Sequence, residues 1–504
     1  MASFAAPDAD NPLAQLAAAT QALASQPQNA QLWCQVGFLY LKIYETREAL
    51  DTFQAARQLN PKSSDAFYGE AIALQQLGNT TAAISALQNA MALNPQDQRL
   101  FSAYAYLATA GKLGPDIVLA AYQDWAKRFA EPLKPRHRPP ANRRSAADKI
   151  RIGYLSADFR DHAVMRFFAP VLAHHDRQRF SIIAFSNGMP DETTPSIRQQ
   201  FDFWNDIRGL SDPAVADLIK KRGIDVLVDL SGHTEGNRLL AMARQPAAKQ
   251  FTWYGYNSTT GMTSIDGRLT DIHMDPLGNE STATETLYRL PNFACFDPPP
   301  NTPEPGNAPC LINRFVTFGS LNNAQKLSDQ TLSTWAILLQ RLPSARLTLV
   351  GPHAPTASEA TRSELLNRLG KFGLPLERLS LLPRLSMEDF LQLGQQIDIA
   401  LESFPLSGAV TTAQALWMGL PVISLSGQLP FERAASAILH AANCSEWVCD
   451  STDGYLACAT ALANHPEQIQ AHRQALRHRL STSPLMDYTK QVADLETIYH
   501  AQRL

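Results

Sequence analysis

The chain has 504 residues, 45% of them apolar, and a formal net charge of −3; that length allows about three domains at ~150 residues each. A near-neutral balance gives no general attraction to nucleic acid or to a membrane surface, and no run of ~18 apolar residues marks a membrane span. The six cysteines (Cys34, Cys295, Cys310, Cys444, Cys449, Cys458) form no CxxC pair, and no basic-then-apolar leader opens the chain, so a disulfide framework, a zinc site and a secretory signal are not expected and the cytoplasm is.

The first predicted elements are helical and periodic. Trp33, Gly37, Tyr40, Ala49, Phe53, Ala56 and Pro61 fall at the offsets of a tetratricopeptide repeat. Adding one period of about 34 residues gives Phe67, Ala71, Leu74, Ala83, Leu87, Ala90 and Pro95, so large and small positions recur in register. Residues 12–26 read as the second helix of an incomplete repeat, full repeats follow at 30–63 and 64–97, and a decayed third starts at Phe101 and runs through Ala120 and Trp125. One hairpin cannot bury its apolar face alone, so the hairpins stack into a short superhelix whose concave face suits a protein partner. Packing against the next domain is the alternative role. The repeat region is expected over 1–130.

Residues 131–148, rich in Pro and Arg, read as a linker. After it the period changes. Apolar runs at Ile150–Leu155, Phe180–Phe185, Val226–Leu230 and Phe251–Tyr256 alternate with helical stretches. A Pro-rich break at 298–312 precedes a second series, at Phe315–Gly319, Arg346–Val350, Leu379–Leu382, Ile397–Leu401 and Pro421–Leu425. Strand–helix alternation predicts parallel sheets covered by helices. Two such domains are expected, over 149–297 and 313–504, facing a cleft. Ligands of these sheets sit at the carboxyl ends of the strands, which directs attention to the loops there.

Four loops carry candidate chemistry. In the stretch IDIALESFPLSGAVTTAQALWMG a buried strand leads through Gly408 into a helix starting near Val410, with Thr411, Thr412 and Gln414 in its first turns. Backbone N–H groups at such a start, with threonine hydroxyls, suit a phosphate or diphosphate. In FGSLNNAQKL, Lys326 lies just past a strand, placed to neutralise a leaving diphosphate, while Asn322 and Asn323 offer groups for a base or sugar. In SADFRDHAVMRF, His162 follows the first strand of its series and is the histidine best placed to relay a proton. In DLSGHTEGNR and YGYNSTTG, Gly232, Gly236 and Gly261 permit close backbone approach, and His233, Thr259 and Thr260 are expected to line the cleft. No GxxxxGK[ST], HExxH or acidic metal cluster is present in the sequence. A mechanism without a metal or a cofactor is expected.

These loops, in this order behind tetratricopeptide repeats, resemble the bacterial SPINDLY-like and O-linked N-acetylglucosamine transferase family, glycosyltransferase family 41. The resemblance rests on Asp158-Phe-Arg-Asp-His162, Asp229-Leu-Ser-Gly-His233, Gly255-Tyr256 with Thr259-Thr-Gly261, Phe318-Gly-Ser-Leu-Asn-Asn323 with Lys326, and Thr411-Thr412 with Ala415-Leu-Trp-Met-Gly419. It implies a GT-B fold, two Rossmann-like domains facing a cleft behind an all-α repeat superhelix. It implies inverting transfer of a sugar, usually from UDP-N-acetylglucosamine, to Ser or Thr of a protein presented by the repeats. Lys326 then matches the lysine on the donor diphosphate, Thr411 and its helix start match the phosphate cradle, and His162 matches the active-site histidine, named as a base. The chain departs from the family pattern at Phe390, Ala409 and Gln414, and at Ala163 and Asn257 where prolines are usual. An amide at Gln414 holds ribose hydroxyls less strongly than a carboxylate. Transfer from another nucleotide sugar, and a catalytically silent protein-binding member, are the alternatives these departures leave open.

Overall fold

Helix starts recur with the repeat. In the computed structural model, which describes residues 11–137, 148–323, 326–351 and 358–501, Asn29, Ser63 and Asp97 each accept a first-turn N–H of the helix they precede. Those helices are α2 (Ala30–Lys42), α4 (Ser64–Gln76) and α6 (Gln98–Ala110); α1 (Pro12–Ser25), α3 (Thr46–Leu59), α5 (Thr80–Leu93) and α7 (Pro115–Trp125) complete the set. A cap of this kind stabilises a helix by about 1 kcal/mol. Ala49, Phe53 and Ala56 and their counterparts Ala83, Leu87 and Ala90 are fully buried. The Phe53 ring lies against Gly37 and Gly69, and a Cβ on either glycine would overlap it. Gly37 is therefore kept small by the aromatic of the following helix, and Gly69 by that of the preceding one.

The chain clusters into two compact units, neither continuous in sequence: Met1–Gly114, Ala308–Leu406 and Ala459–Pro466 form one, and Pro115–Asn307, Ser407–Cys458 and Glu467–Leu504 the other. The first unit holds α1–α6 and the strands β8 (Thr317–Ser320), β9 (Arg346–Val350), β10 (Leu379–Leu382) and β11 (Ile399–Leu401). These pair in parallel in the order β10-β9-β8-β11. The repeats dock onto this sheet domain through Glu45, whose carboxylate oxygens each accept Ser358 N at 3.0 Å.

The second unit holds β1 (Ile150–Ser156), β2 (Phe180–Ser186), β3 (Phe203–Asp206), β4 (Val226–Asp229), β5 (Lys249–Thr252), β6 (Gly267–Asp271) and β7 (Thr286–Leu290), together with the parallel pair β12 (Val422–Leu425) and β13 (Val448–Cys449). The seven strands form one parallel sheet in the order β3-β2-β1-β4-β5-β6-β7. The architecture is a helical repeat region followed by two Rossmann-like parallel-sheet domains. The C-terminal helix Tyr488–Ala501 packs on the Ala163–His174 helix and β7. There Glu496 accepts from His175 Nδ1 at 2.8 Å, both buried.

Two expectations shift. The strand expected over Phe251–Tyr256 starts earlier and ends at Thr252, and Tyr254 turns the chain away with φ +46°. Helix α7 belongs to the second unit, where Tyr122 and Trp125 are buried. Residues 138–147 of the expected linker, and Ala324 and Gln325 of the Lys326 loop, lie outside the described residues.

Candidate functional site

In the first unit the strand order reverses at β8, with β9 on one side and β11 on the other. Ligand crevices of open parallel sheets form at such a reversal. The loops leaving β8 and β11 are tied together there: Ser328 Oγ and Thr331 Oγ1 donate to Phe404 O at 2.5 and 2.7 Å. Asn322, 3% exposed, donates through Nδ2 to Oε2 of Glu402, 4% exposed, at 2.7 Å. Lys326 Nζ donates to the other end of the same amide, Asn322 Oδ1, in a long contact of 3.4 Å. Lys326 is half-buried. Burial pulls its ammonium below the ordinary value, and the Glu402 carboxylate opposes that fall. Lys326 thus sits at the strand reversal with its charge supported from across it. The Asn322 side chain, expected to meet a ligand, bridges Lys326 and Glu402, while Asn323 is exposed. Glu402 was not among the residues expected from sequence; its one signal is a carboxylate immediately after a buried strand.

In the second unit the order reverses between β1 and β4. The loop after β1 carries His162, which caps the Ala163–His174 helix: Val164 N donates to His162 Nδ1 at 3.3 Å. Asp158 Oδ1 lies 3.7 Å from the same nitrogen, beyond hydrogen-bond reach. Burial lowers the His162 pKa, against the pull of Asp158. The ring is therefore neutral at neutral pH. With Nδ1 accepting, its proton resides on Nε2. His162 presents an N–H donor; Nε2 acts as a base only after the tautomer changes and the cap is lost.

The loop after β4 is organised by Asp229, fully buried, which accepts Gly232 N at 2.8 Å, Ser231 N at 3.1 Å and Thr252 Oγ1 at 2.8 Å. Burial raises its pKa to about 6. His233 is enclosed by Tyr122, Trp125 and Tyr256, its Nε2 3.0 Å from Thr260 O. Thr259 Oγ1 donates to Glu285 Oε2 at 2.7 Å, and Thr260 donates to Oε1 through N at 2.6 Å and through its hydroxyl. The hydroxyls expected to face a ligand are turned to a buried carboxylate and hold the loop.

The expected phosphate cradle is the start of the Val410–Trp417 helix. Its N-cap is Ala409, so no N-cap side chain accepts from the first turn. Gly408, Thr412 and Gln414 are buried, and Val410 and Thr411 are half-buried at the start. This helix packs against the Ala163–His174 helix. The second unit therefore brings the helix that His162 caps together with the one that carries Thr411. Among the described residues no group of three or more His, Cys, Asp or Glu is placed to hold a metal ion, and no helix is long and apolar enough to cross a membrane.

Comparison with known proteins adds three findings. The family described as glycosyl transferase family 41 matches residues 131–296 and 309–495. The chain is 34% identical over 393 residues to a Solanum lycopersicum protein named "Probable UDP-N-acetylglucosamine--peptide N-acetylglucosaminyltransferase SPINDLY", covering 77% of this chain and 42% of that protein. It is 33% identical over 391 residues to the Arabidopsis thaliana protein of the same name, covering 76% and 42%. The chain thus spans well under half the length of these curated relatives. Among solved structures, a lysine-to-methionine variant of Thermobaculum terrenum O-GlcNAc transferase superimposes with a TM-score of 0.91 at 32% identity, covering 98% of this chain and 94% of that one.

Proposed function

The chain belongs to glycosyl transferase family 41, and we propose that it transfers a sugar, N-acetylglucosamine from UDP-N-acetylglucosamine, to Ser or Thr hydroxyls of a protein recruited by its repeats in the cytoplasm. The observation that carries this reading is Lys326 at the strand reversal of the first unit, joined through Asn322 to Glu402. The relatives' names, which speak of UDP-N-acetylglucosamine and peptide, supply donor and acceptor class.

In the inverting reaction the acceptor oxygen attacks the anomeric carbon from the face opposite the diphosphate. The bond from that carbon to the diphosphate oxygen breaks, negative charge gathers on the leaving group, and the proton of the attacking hydroxyl passes to a phosphate oxygen of that group. The Lys326 ammonium neutralises it, in place of a metal ion. In the second unit, the start of the Val410–Trp417 helix offers backbone N–H groups to phosphate oxygens, with Gly408 allowing approach and Thr411 adding a hydroxyl. His162 offers Nε2–H to an oxygen of donor or acceptor. Asn323 is assigned to the base or sugar.

For the acceptor, the first unit carries a cavity of about 660 Å³ between repeat residues such as Thr80 and Lys112 and sheet-domain residues such as Gln330 and Arg368. Lys112 Nζ reaches Gln330 Oε1 across it at 2.8 Å. Its mixed polar lining suits polypeptide. Gln414 in place of a carboxylate, in a helix whose N-cap is Ala409, favours a second reading in which the same transfer runs from a different nucleotide sugar.

Binding of UDP-, GDP- and CMP-linked sugars to the purified chain, with Lys326→Ala as control, tests the proposal. Tight binding of one donor, lost in the variant, is expected. Binding of none would leave a silent member that works through its repeats.

A further inference from the structure

No disulfide links the six cysteines, all of which are among the described residues, and they divide by burial. Cys34, Cys295, Cys310 and Cys444 are buried; Cys449 and Cys458 are half-exposed. None of these thiols has a part in the transfer chemistry above. Cys449 ends β13, and Cys458 lies midway along the Thr452–Ala463 helix. Their sulfurs meet at one turn, Ser445–Trp447. Cys449 Sγ donates to Trp447 O at 3.9 Å, and Cys458 Sγ donates to Glu446 O at 4.0 Å. Those acceptors belong to consecutive residues, so both thiols are drawn to the same spot on the surface.

The turn that gathers them is firmly held. Arg479 donates to both carboxylate oxygens of Glu446, at 2.6 and 3.1 Å, and its guanidinium lies over the Trp447 ring. Cys449 O accepts Ser426 N at 2.8 Å, and β13 pairs with β12. The turn and the backbone at Cys449 are thereby held from both sides. The thiols also interact with each other, and unequally: that contact draws the Cys458 pKa below its ordinary value and pushes Cys449 up. Thiolate, rather than thiol, attacks a disulfide, so the two have different parts to play.

We propose that Cys449 and Cys458 form a reversible dithiol–disulfide site whose co-reactant is a low-molecular-weight disulfide. Cys458 thiolate attacks one sulfur of the small disulfide, forming a mixed disulfide and expelling the first small thiolate. Cys449, after giving up its proton, attacks the Cys458 sulfur and expels the second. The protein loses two hydrogens, the small disulfide becomes two thiols, and a reducing thiol reverses both steps. The bond fastens the end of β13, and through it the β12–β13 pair, to the Thr452–Ala463 helix. A cross-link closing this short loop lowers the entropy of the opened segment between its ends, and so disfavours its local opening.

The test exposes the full chain to graded ratios of oxidised to reduced glutathione, traps remaining thiols by alkylation and maps peptides without reduction. A Cys449–Cys458 linked peptide is expected, appearing as the ratio rises and lost on adding excess reduced thiol. The two serine variants separate the roles. Cys449→Ser is expected to accumulate glutathione on Cys458, because nothing resolves the mixed disulfide; Cys458→Ser is expected to leave Cys449 largely unmodified. Circular dichroism confirms that each variant is folded. Separate alkylation of Cys449 and Cys458 in the wild-type chain at every ratio would overturn the proposal. So would stable glutathione adducts on both, with no internal bond.

Discussion

Asn322 Nδ2 donates to Glu402 Oε2 at 2.7 Å, across the point where the strand order of the first unit reverses. The amide's other end accepts Lys326, so a buried carboxylate supports the ammonium through one intervening side chain. Burial lowers the Lys326 pKa and Glu402 raises it. Removing the carboxylate lowers it further. Glu402→Gln is therefore expected to move the alkaline limb of nucleoside-diphosphate binding to lower pH, and Glu402→Asp to restore part of the shift. Lys326→Ala is expected to cost about 10²–10³-fold in turnover, the scale for one lost donor at a developing charge. Calorimetry across pH, with UDP and with GDP, checks the first point; coincident limbs for wild type and Glu402→Gln would remove Glu402 from the site.

His162 gives a second prediction, because capping and proton transfer make opposite demands on Nδ1. An asparagine caps through its oxygen and still carries N–H donors. His162→Asn is expected to keep the helix start and a measurable fraction of turnover. His162→Ala loses both the cap, at about 1 kcal/mol, and the donor. Long-range nitrogen NMR of the wild-type ring is expected to show the proton on Nε2. Complete loss of turnover in a stably folded His162→Asn chain would instead favour a base.

Much of this architecture is legible in local sequence, and the unread parts share a cause. Repeat helices are readable because caps and small positions recur: Asn29, Ser63 and Asp97 stand one period apart, and Gly37 is small because Phe53 rests on it. Strands β1 (IRIGYLS), β2 (FSIIAFS) and β4 (VLVD) are mainly apolar, with polar residues only near their ends. β6 reads GRLTD, and its arginine looks incompatible with a central strand until Asp275 is seen 2.6 Å from Arg268, both buried. β3 reads FWND and β7 TLYRL, also without an unbroken apolar run. Glu402 was missed for the same reason: a lone carboxylate says nothing until β11 lies beside β8. What local pattern cannot supply is the partner from a distant segment.

Glu45 shows the same principle within the repeats. It stands one period from Asn11 and Asn79, which cap their own helices, yet Glu45 makes no such bond to α3. Its carboxylate instead accepts Ser358 N and Thr361 Oγ1 at the start of the Glu359–Lys371 helix. Glu45→Asn is expected to strengthen the start of α3 and to loosen the docked helix. Hydrogen exchange reads both changes: slower over 46–50, faster over 359–364. Unchanged exchange over 359–364 would show that Glu45 does not hold the repeats to the sheet domain.

Helix α7 limits where the repeats end as a separable part. Tyr122 shares a 2.5 Å hydrogen bond with Tyr256, and Trp125 packs edge-on against His233. A Cβ at Gly261 would overlap the backbone of Tyr122. Trp125→Ala is expected to destabilise the second unit by about 3–5 kcal/mol, the range for a buried aromatic. A truncation removing 1–130 is then expected to lower the melting temperature of the remainder well below that of one removing 1–114. Equal melting temperatures would make α7 dispensable.

The burial of His233 has a consequence for acid stability. Its pKa falls from 6.5 to about 4, because burial disfavours the charged ring. Below pH 6.5 the unfolded chain binds a proton there that the folded chain refuses until about pH 4. The stabilisation is complete above pH 6.5 and is lost as pH falls through that window, by about 2 kcal/mol at pH 5. Asp229 runs the other way: its pKa is raised from 3.8 to about 6, so its contribution is complete below 3.8 and fades as pH rises through 6. The two overlap, and wild type alone would show only their difference. His233→Gln leaves a side chain that donates to Thr260 O and does not titrate. Opening free energies from hydrogen exchange of β4 and β5 amides, at pH 7 and pH 5, separate the terms. The variant is expected to lose about 2 kcal/mol less than wild type on acidification; equal losses would mean that the ring takes up its proton without opening the fold.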